Sequence, residues 1–170
     1  KVAQSMTIRD NLQTIGERIQ QAAQRFHRPL DSVQLLAVSK QQPSDAIAEA
    51  YAAGQRLFGE NYAQEMAEKA QVLNNLAIEW HFIGPIQSNK TKLIAQTAAW
   101  VHSIENLKIA QRLNEQIPAE KAPLNVCIQV NISHETSKSG LAAHEVLALA
   151  QQIANLPNLR LRGLMAIPAP

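Results

Sequence analysis

Six times along this chain a short run of branched apolar residues precedes the next segment, and after every run but the last that segment has helical spacing. The runs centre near residues 35, 57, 80, 102, 128 and 162. Parallel strands need a crossover between them, and a helix with one apolar stripe covers the sheet it crosses. Alternation of this kind therefore specifies a parallel sheet clad in helices. Two architectures share the pattern. A doubly wound open sheet is complete at about six strands. A (β/α)8 barrel needs eight strands and roughly 250 residues. With 170 residues, a barrel would be traced about three-quarters of the way round, and the chain would be incomplete.

The individual elements follow from spacing. Ile8, Leu12, Ile15, Ile19 and Phe26 fall on one helical face behind a Thr7/Asp10 capping pair, which predicts an N-terminal helix over about 7–27. Residues 33–39 are so continuously apolar that they predict a strand buried on both faces. Ser44 suits the N-cap of the next helix and Gly54 its C′ position. A strand over 56–58 is expected to break at Gly59, and a third helix to turn Tyr62, Met66, Ala70 and Leu73 inward. Further strands are predicted over 78–83, 101–104, 124–132 and 159–166. The helices between them start near Ser88, are capped by Asn106 and stopped by Pro118, and run through Val146, Ala150 and Ile153.

Composition narrows the class of function. Lys and Arg number 16 against 14 Asp and Glu, a net charge of +2, which excludes a nucleic-acid binder that works by charge alone. A hydrophobic fraction of 46% excludes global disorder. Cys127 is the only cysteine, so neither a disulfide framework nor a cysteine-built zinc site is available. No apolar run has the length of a membrane span, and the polar start of the chain contains no signal-peptide core. A soluble, cytoplasmic domain is the expectation.

In both architectures ligands bind at the carboxyl ends of the strands. That leaves Ser39 and Lys40, residues 59–61 and 81–85, His102 and Ser103, residues 131–133, and residues 165–168. Leu36, Val38 and Lys40 share one face of their strand, and in a barrel that apolar face points inward. An amine at the mouth of an apolar interior is partly desolvated, which lowers its pKa and suits it to attack on a carbonyl. The alternative is a solvent-exposed lysine that ends a strand. His81 reads either as a buried, hydrogen-bonded core histidine or as a site group. His102, His134 and His144 lack a matching carboxylate spacing, which argues against a metal site. Asn61 and Asn131 can bond a ligand or simply terminate strands. Cys127 reads as packing rather than nucleophile. Residues 88–92 can hold an anion or form a solvated basic turn. Residues 137–140 lack the first glycine and the spacing of a Walker loop, and no GxGxxG follows the first strand.

Five segments carry a resemblance when taken in order. They are Leu35-Leu36-Ala37-Val38-Ser39-Lys40, Phe58-Gly59-Glu60-Asn61-Tyr62, Trp80-His81-Phe82-Ile83-Gly84-Pro85-Ile86-Gln87-Ser88-Asn89-Lys90, Val130-Asn131-Ile132 with Lys138-Ser139-Gly140, and Arg162-Gly163-Leu164-Met165-Ala166-Ile167. Together they resemble the pyridoxal phosphate homeostasis protein family, single-domain relatives of the alanine racemase N-terminal barrel. The resemblance implies an α/β fold, a (β/α)8 TIM barrel with about six of its eight strands present, as one incomplete domain over 1–170. It implies that Lys40 carries pyridoxal 5′-phosphate (PLP) as a Schiff base, with Asn61, His81 and Met165 around the cofactor ring, and that there is no dedicated catalytic residue and no metal. Members of the family continue for two further strand–helix units that bind the phosphate. The resemblance thus implies that these 170 residues supply the lysine without the phosphate cup, with open edges at the first and sixth strands. The implied role is intracellular PLP homeostasis by a monomer, with PLP-dependent apoenzymes as partners and no nucleic acid or membrane. The alternative is a PLP enzyme such as an amino-acid racemase, which needs a second base; the tyrosines here are Tyr51 and Tyr62 alone. An aldolase-like barrel that uses Lys40 without the cofactor is a third reading.

Overall fold

A computed structural model describes residues 6–133 and 139–170. His134, Ser137 and Lys138 lie outside the described residues. The order of elements is α1 (Ile8–Arg25), β1 (Ala37–Val38), α2 (Ser44–Ala52), β2 (Leu57–Glu60), α3 (Ala63–Val72), β3 (Glu79–Phe82), α4 (Thr91–Thr97), β4 (Trp100–Ile104), α5 (Leu107–Gln116), β5 (Leu124–Gln129), α6 (Val146–Ile153) and β6 (Leu159–Met165). Short 3-10 turns over 88–90 and 143–145 lead into α4 and α6.

Strand order decides between the two architectures. All six strands are parallel and neighbour one another in sequence order, β1 to β6. A doubly wound sheet reverses its winding at a switch point. This sheet never reverses, which is the winding of a β/α barrel. β1 and β6 form its two edges.

The core lies between the sheet and the helices. Phe58, Phe82, Val101, Val126 and Ile128 meet Ile47, Met66, Ile94, Leu113 and Ile153, each at most 2% exposed. Local signals set the helix ends. Thr7 accepts the Asp10 N–H at 3.1 Å and Asp10 accepts the Thr7 N–H at 3.2 Å, a reciprocal cap for α1. Asn106 accepts the Ile109 N–H at 2.9 Å. Gly54 follows α2 at φ +106°, where a side chain would be strained.

Several expectations need correction, the Ser44 cap among them: Pro43 is the N-cap residue of α2, with no side-chain cap bond, and Ser44 is the first helical residue. The first strand is two residues long rather than spanning 33–39, because Gln55 Nε2 donates to the Leu35 carbonyl at 2.8 Å and takes it out of the ladder. Nor is that segment buried on both faces: Val33 is 45% and Val38 52% exposed at the sheet edge. β2 does not break at Gly59 but continues to Glu60, paired with Phe82. Gly59 instead makes room, since a Cβ there would meet the Leu36 and Ile83 side chains at 3.3 and 3.2 Å. Tyr62 caps α3 from outside and is exposed rather than packed. β5 ends at Gln129; beyond it Val130 bridges to Leu141.

Candidate functional site

Lys40 sits in a tight turn at the carboxyl end of β1. The Ser39 N–H donates to the Gly59 carbonyl at 2.9 Å, the last tie to β2. The Gln42 N–H then returns to the Ser39 carbonyl at 3.0 Å, which leaves Lys40 and Gln41 as the two central residues of the turn. Gln41 has φ +61°, a left-handed conformation uncommon outside glycine and asparagine. Lys40 is exposed, and among the described residues its ammonium has no hydrogen-bond or ion-pair partner. The apolar enclosure expected around this amine is absent among the described residues, because Val38 below it is itself open on the sheet edge.

Charged groups are buried directly behind the turn. Lys69 of α3 donates to Glu60 Oε1 at 2.6 Å, to Glu65 Oε1 at 2.7 Å and to the Ser39 carbonyl at 2.8 Å. Ser39 Oγ donates to Glu60 Oε1 at 2.9 Å, and the Gln41 N–H donates to Glu65 Oε1 at 2.6 Å. Burial pushes the Glu60 carboxyl up, against the pull of Lys69 and Ser39. The Lys69 hydrogen bond holds Glu65 below the usual range.

Asn61 follows β2 at the same end of the sheet. Its Oδ1 is buried and, among the described residues, has no donor. Gly84, after β3, packs against it so closely that a Cβ would lie 2.2 Å from the Asn61 carbonyl oxygen. Only glycine permits that approach. The Gly84 carbonyl in turn accepts Ser103 Oγ at 2.6 Å, so the ends of β2, β3 and β4 are linked in sequence. Met165 ends β6 opposite Gln129, half-buried, and its carbonyl accepts the Val130 N–H at 2.8 Å. Nearby, Ile83, Pro85, Gln129, Asn131, Ser139 and Ile167 line a cavity of about 220 Å3.

His81 lies on the sheet face turned away from the helices, 4% exposed. Its Nε2 meets Glu79 Oε1 at 2.8 Å and its Nδ1 meets His102 Nε2 at 2.8 Å. The consistent tautomers have His81 Nε2–H donating to Glu79 and His102 Nε2–H donating to His81. Trp100 stacks on the His81 ring at 5.5 Å, and the Arg162 guanidinium lies 5.5 Å from the Trp100 centroid. Burial lowers the pKa of both histidines, that of His102 to about 4. The core-histidine reading of His81 therefore describes its contacts, since both ring nitrogens are already bonded.

The structure thus gathers Lys40 and Asn61 at the strand ends, with His81 level with Gly59, two residues below Asn61, and Met165 at the far edge. Sequence reasoning missed Glu79, and named His102 as a strand-end candidate without its bond to His81. The signal was present: Glu79 and His81 are two apart in a strand and share a face. It also missed Glu65 and Lys69, an i,i+4 pair on α3, and the left-handed Gln41, for which no sequence signal exists. Among the described residues no group of three His, Cys, Asp or Glu side chains is placed to hold a metal ion.

Comparison with known proteins agrees with this frame. A family model for the alanine racemase N-terminal domain matches residues 11–170. The chain is 58% identical over 167 residues to the pyridoxal phosphate homeostasis protein of Pasteurella multocida, covering 97% of this chain and 72% of that protein. It is 55% identical over 166 residues to the Escherichia coli K12 protein of the same name, covering 96% and 71%. The structure of PipY from Synechococcus elongatus PCC7942 with PLP bound superimposes with a TM-score of 0.76 at 38% identity, over 91% of this chain and 70% of that one. The chain belongs to the alanine racemase N-terminal domain family and, within it, to the pyridoxal phosphate homeostasis proteins.

Proposed function

We propose that this chain binds PLP through Lys40 and serves homeostasis of that cofactor rather than turnover of a substrate. The observation that carries the reading is the Lys40 amine, exposed and unpartnered among the described residues at the carboxyl end of a barrel strand. When bound, the cofactor supplies an aldehyde whose carbon can bond to an amine nitrogen with loss of water. The residues present fit it. Lys40 supplies the amine, and the donorless Asn61 Oδ1 an acceptor for a polar group of the ligand. Met165 supplies a half-buried apolar edge. His81, bonded at both nitrogens, serves as a fixed ring beneath the site rather than as a proton donor. The names of the close relatives and the PLP-bound PipY structure support this reading.

The racemase alternative needs a second base at the site. Tyr51 does not serve, because its hydroxyl accepts the Ala77 N–H at 3.1 Å before the start of β3, the opposite end of the sheet. We extend the proposal to a single, incomplete barrel domain over 1–170 with an extra N-terminal helix, acting as a cytoplasmic monomer with PLP-dependent apoenzymes as recipients. No helix among the described residues is long and apolar enough to cross a membrane.

The test is incubation with PLP, borohydride reduction and peptide mass spectrometry. A single phosphopyridoxyl adduct on Lys40, lost in Lys40→Ala, is the expected result. Adducts scattered over many lysines, or none, would overturn the proposal.

A further inference from the structure

We propose that Glu65 and Lys69 of α3 are positioning residues for Lys40, holding the turn that presents its amine. The inference rests on the reading of Lys40 as the cofactor lysine. Lys40 itself is exposed and unpartnered among the described residues, yet both peptides beside it are gripped. On one side the Ser39 carbonyl accepts Lys69 Nζ at 2.8 Å. On the other the Gln41 N–H donates to Glu65 Oε1 at 2.6 Å. The two grips are one device, because Lys69 and Glu65 bond each other at 2.7 Å. Glu60, fully buried, anchors Lys69 from the sheet at 2.6 Å and holds the Ser39 hydroxyl at 2.9 Å.

The turn needs such a device. Gln41 occupies a left-handed conformation that a side chain disfavours, and the neighbouring turn bond alone joins Gln42 to Ser39. A carboxylate that accepts the Gln41 N–H favours the unusual geometry over an extended one. Ionised groups are an expensive filling for the space behind an exposed turn, since apolar side chains of similar volume pack there without desolvating charge. These charged groups converge on the two peptides flanking one lysine. Held this way, the Lys40 side chain starts from a fixed backbone, so less freedom is lost when its amine bonds a ligand.

The experiment compares wild type, Glu65→Ala, Glu65→Gln and Lys69→Met, with Glu68→Gln as the control. Glu68 lies on the same helix and, among the described residues, bonds only Gln64. Two readouts are taken on each protein: amide hydrogen exchange at Gln41, which needs no cofactor, and the ratio of reduced PLP adduct on Lys40 to that on all other lysines. Glu65→Ala is expected to speed Gln41 exchange and to lower the Lys40 ratio by roughly tenfold, the worth of a charge-assisted hydrogen bond. Glu65→Gln, which keeps an acceptor, should recover part of both. Lys69→Met should act in the same direction provided circular dichroism shows it folded, and Glu65→Ala carries the test if it does not. Unchanged exchange and an unchanged ratio in Glu65→Ala would overturn the inference. If wild type lacks a Lys40 adduct, the cofactor reading fails by itself, and the exchange readout still decides whether Glu65 holds the turn.

Discussion

The two faces of the sheet are built on different principles. Toward the helices, β2 to β5 present Phe58, Phe82, Val101, Val126 and Ile128, sealed to at most 1% exposure. On the other face the same strands carry Gly59, His81, Trp100 and Cys127, with Arg162 from β6. The first face is shape complementarity between hydrocarbons. The second is a set of hydrogen-bonded and stacked polar rings whose burial is incomplete. Apolar packing dominates one face and polar and ring contacts the other, separated by the thickness of a single strand.

The sharpest way to break this comparison is a pair of truncations. Phe82→Ala is expected to cost about 3–5 kcal/mol, because its side chain leaves a cavity in a close-packed layer. Val38→Ser, at an edge residue 52% exposed that pairs with Gly59 on the second face, should cost about 1 kcal/mol or less. Urea unfolding of both variants tests the difference. Equal losses would mean that the second face is as tightly packed as the first.

A smaller effect follows from the histidines. The pKa of His102 is lowered from 6.5 to about 4, chiefly by burial. Above about 6.5 the ring is neutral in both folded and unfolded chains. As pH falls toward 4 only the unfolded chain takes up the proton, so stability is lost across that window and not further below it. Between pH 7 and pH 5 this partly exposed group alone should cost on the order of 1 kcal/mol once solvent screening is allowed for. The His102→Gln variant should lose correspondingly less over the same interval, measured by denaturant midpoints at the two values. An identical pH dependence in the variant would detach His102 from the effect.

The least effect is expected from Arg162→Met. An exposed guanidinium over an indole ring contributes about 0.5 kcal/mol, so the unfolding midpoint should barely move. The Trp100 fluorescence should shift as the cation leaves its ring. Burial raises the Cys127 thiol pKa while Arg162 opposes it, so thiol titration in the variant should move upward.

What was readable in the sequence follows the same division. The helix-facing layer was legible because its residues repeat with the period of their element: Met66 on α3 with Leu73 at its C-cap, Val126 and Ile128 on β5. Caps were legible because Thr7, Asn106 and Gly54 act within a few residues of themselves. The first strand was misread because hydrophobicity does not say whether a neighbouring strand lies on both sides, and here Gln55 takes the Leu35 carbonyl. Lys40 and Asn61 could be placed at strand ends, but not the network behind them. Glu60 stands among the strand-end candidates, but its links to Lys69 and, through it, to Glu65 form only when α3 folds back over β1. Nothing in Lys40-Gln41-Gln42-Pro43 foretells a left-handed glutamine, because its cause lies 24 residues away in Glu65.

Because the six strands among the described residues pair in sequence order, none of these five pairings has to wait for a distant partner. Each loop to be closed contains a single helix, so the entropy of bringing two strands together stays nearly constant from one step to the next. Assembly can then proceed like laying staves side by side: as each helix and strand emerges during synthesis it finds its template already standing. The Lys40 turn, which needs only β2 and α3, is set early in that succession, with its grip complete before the histidine cluster has its second ring.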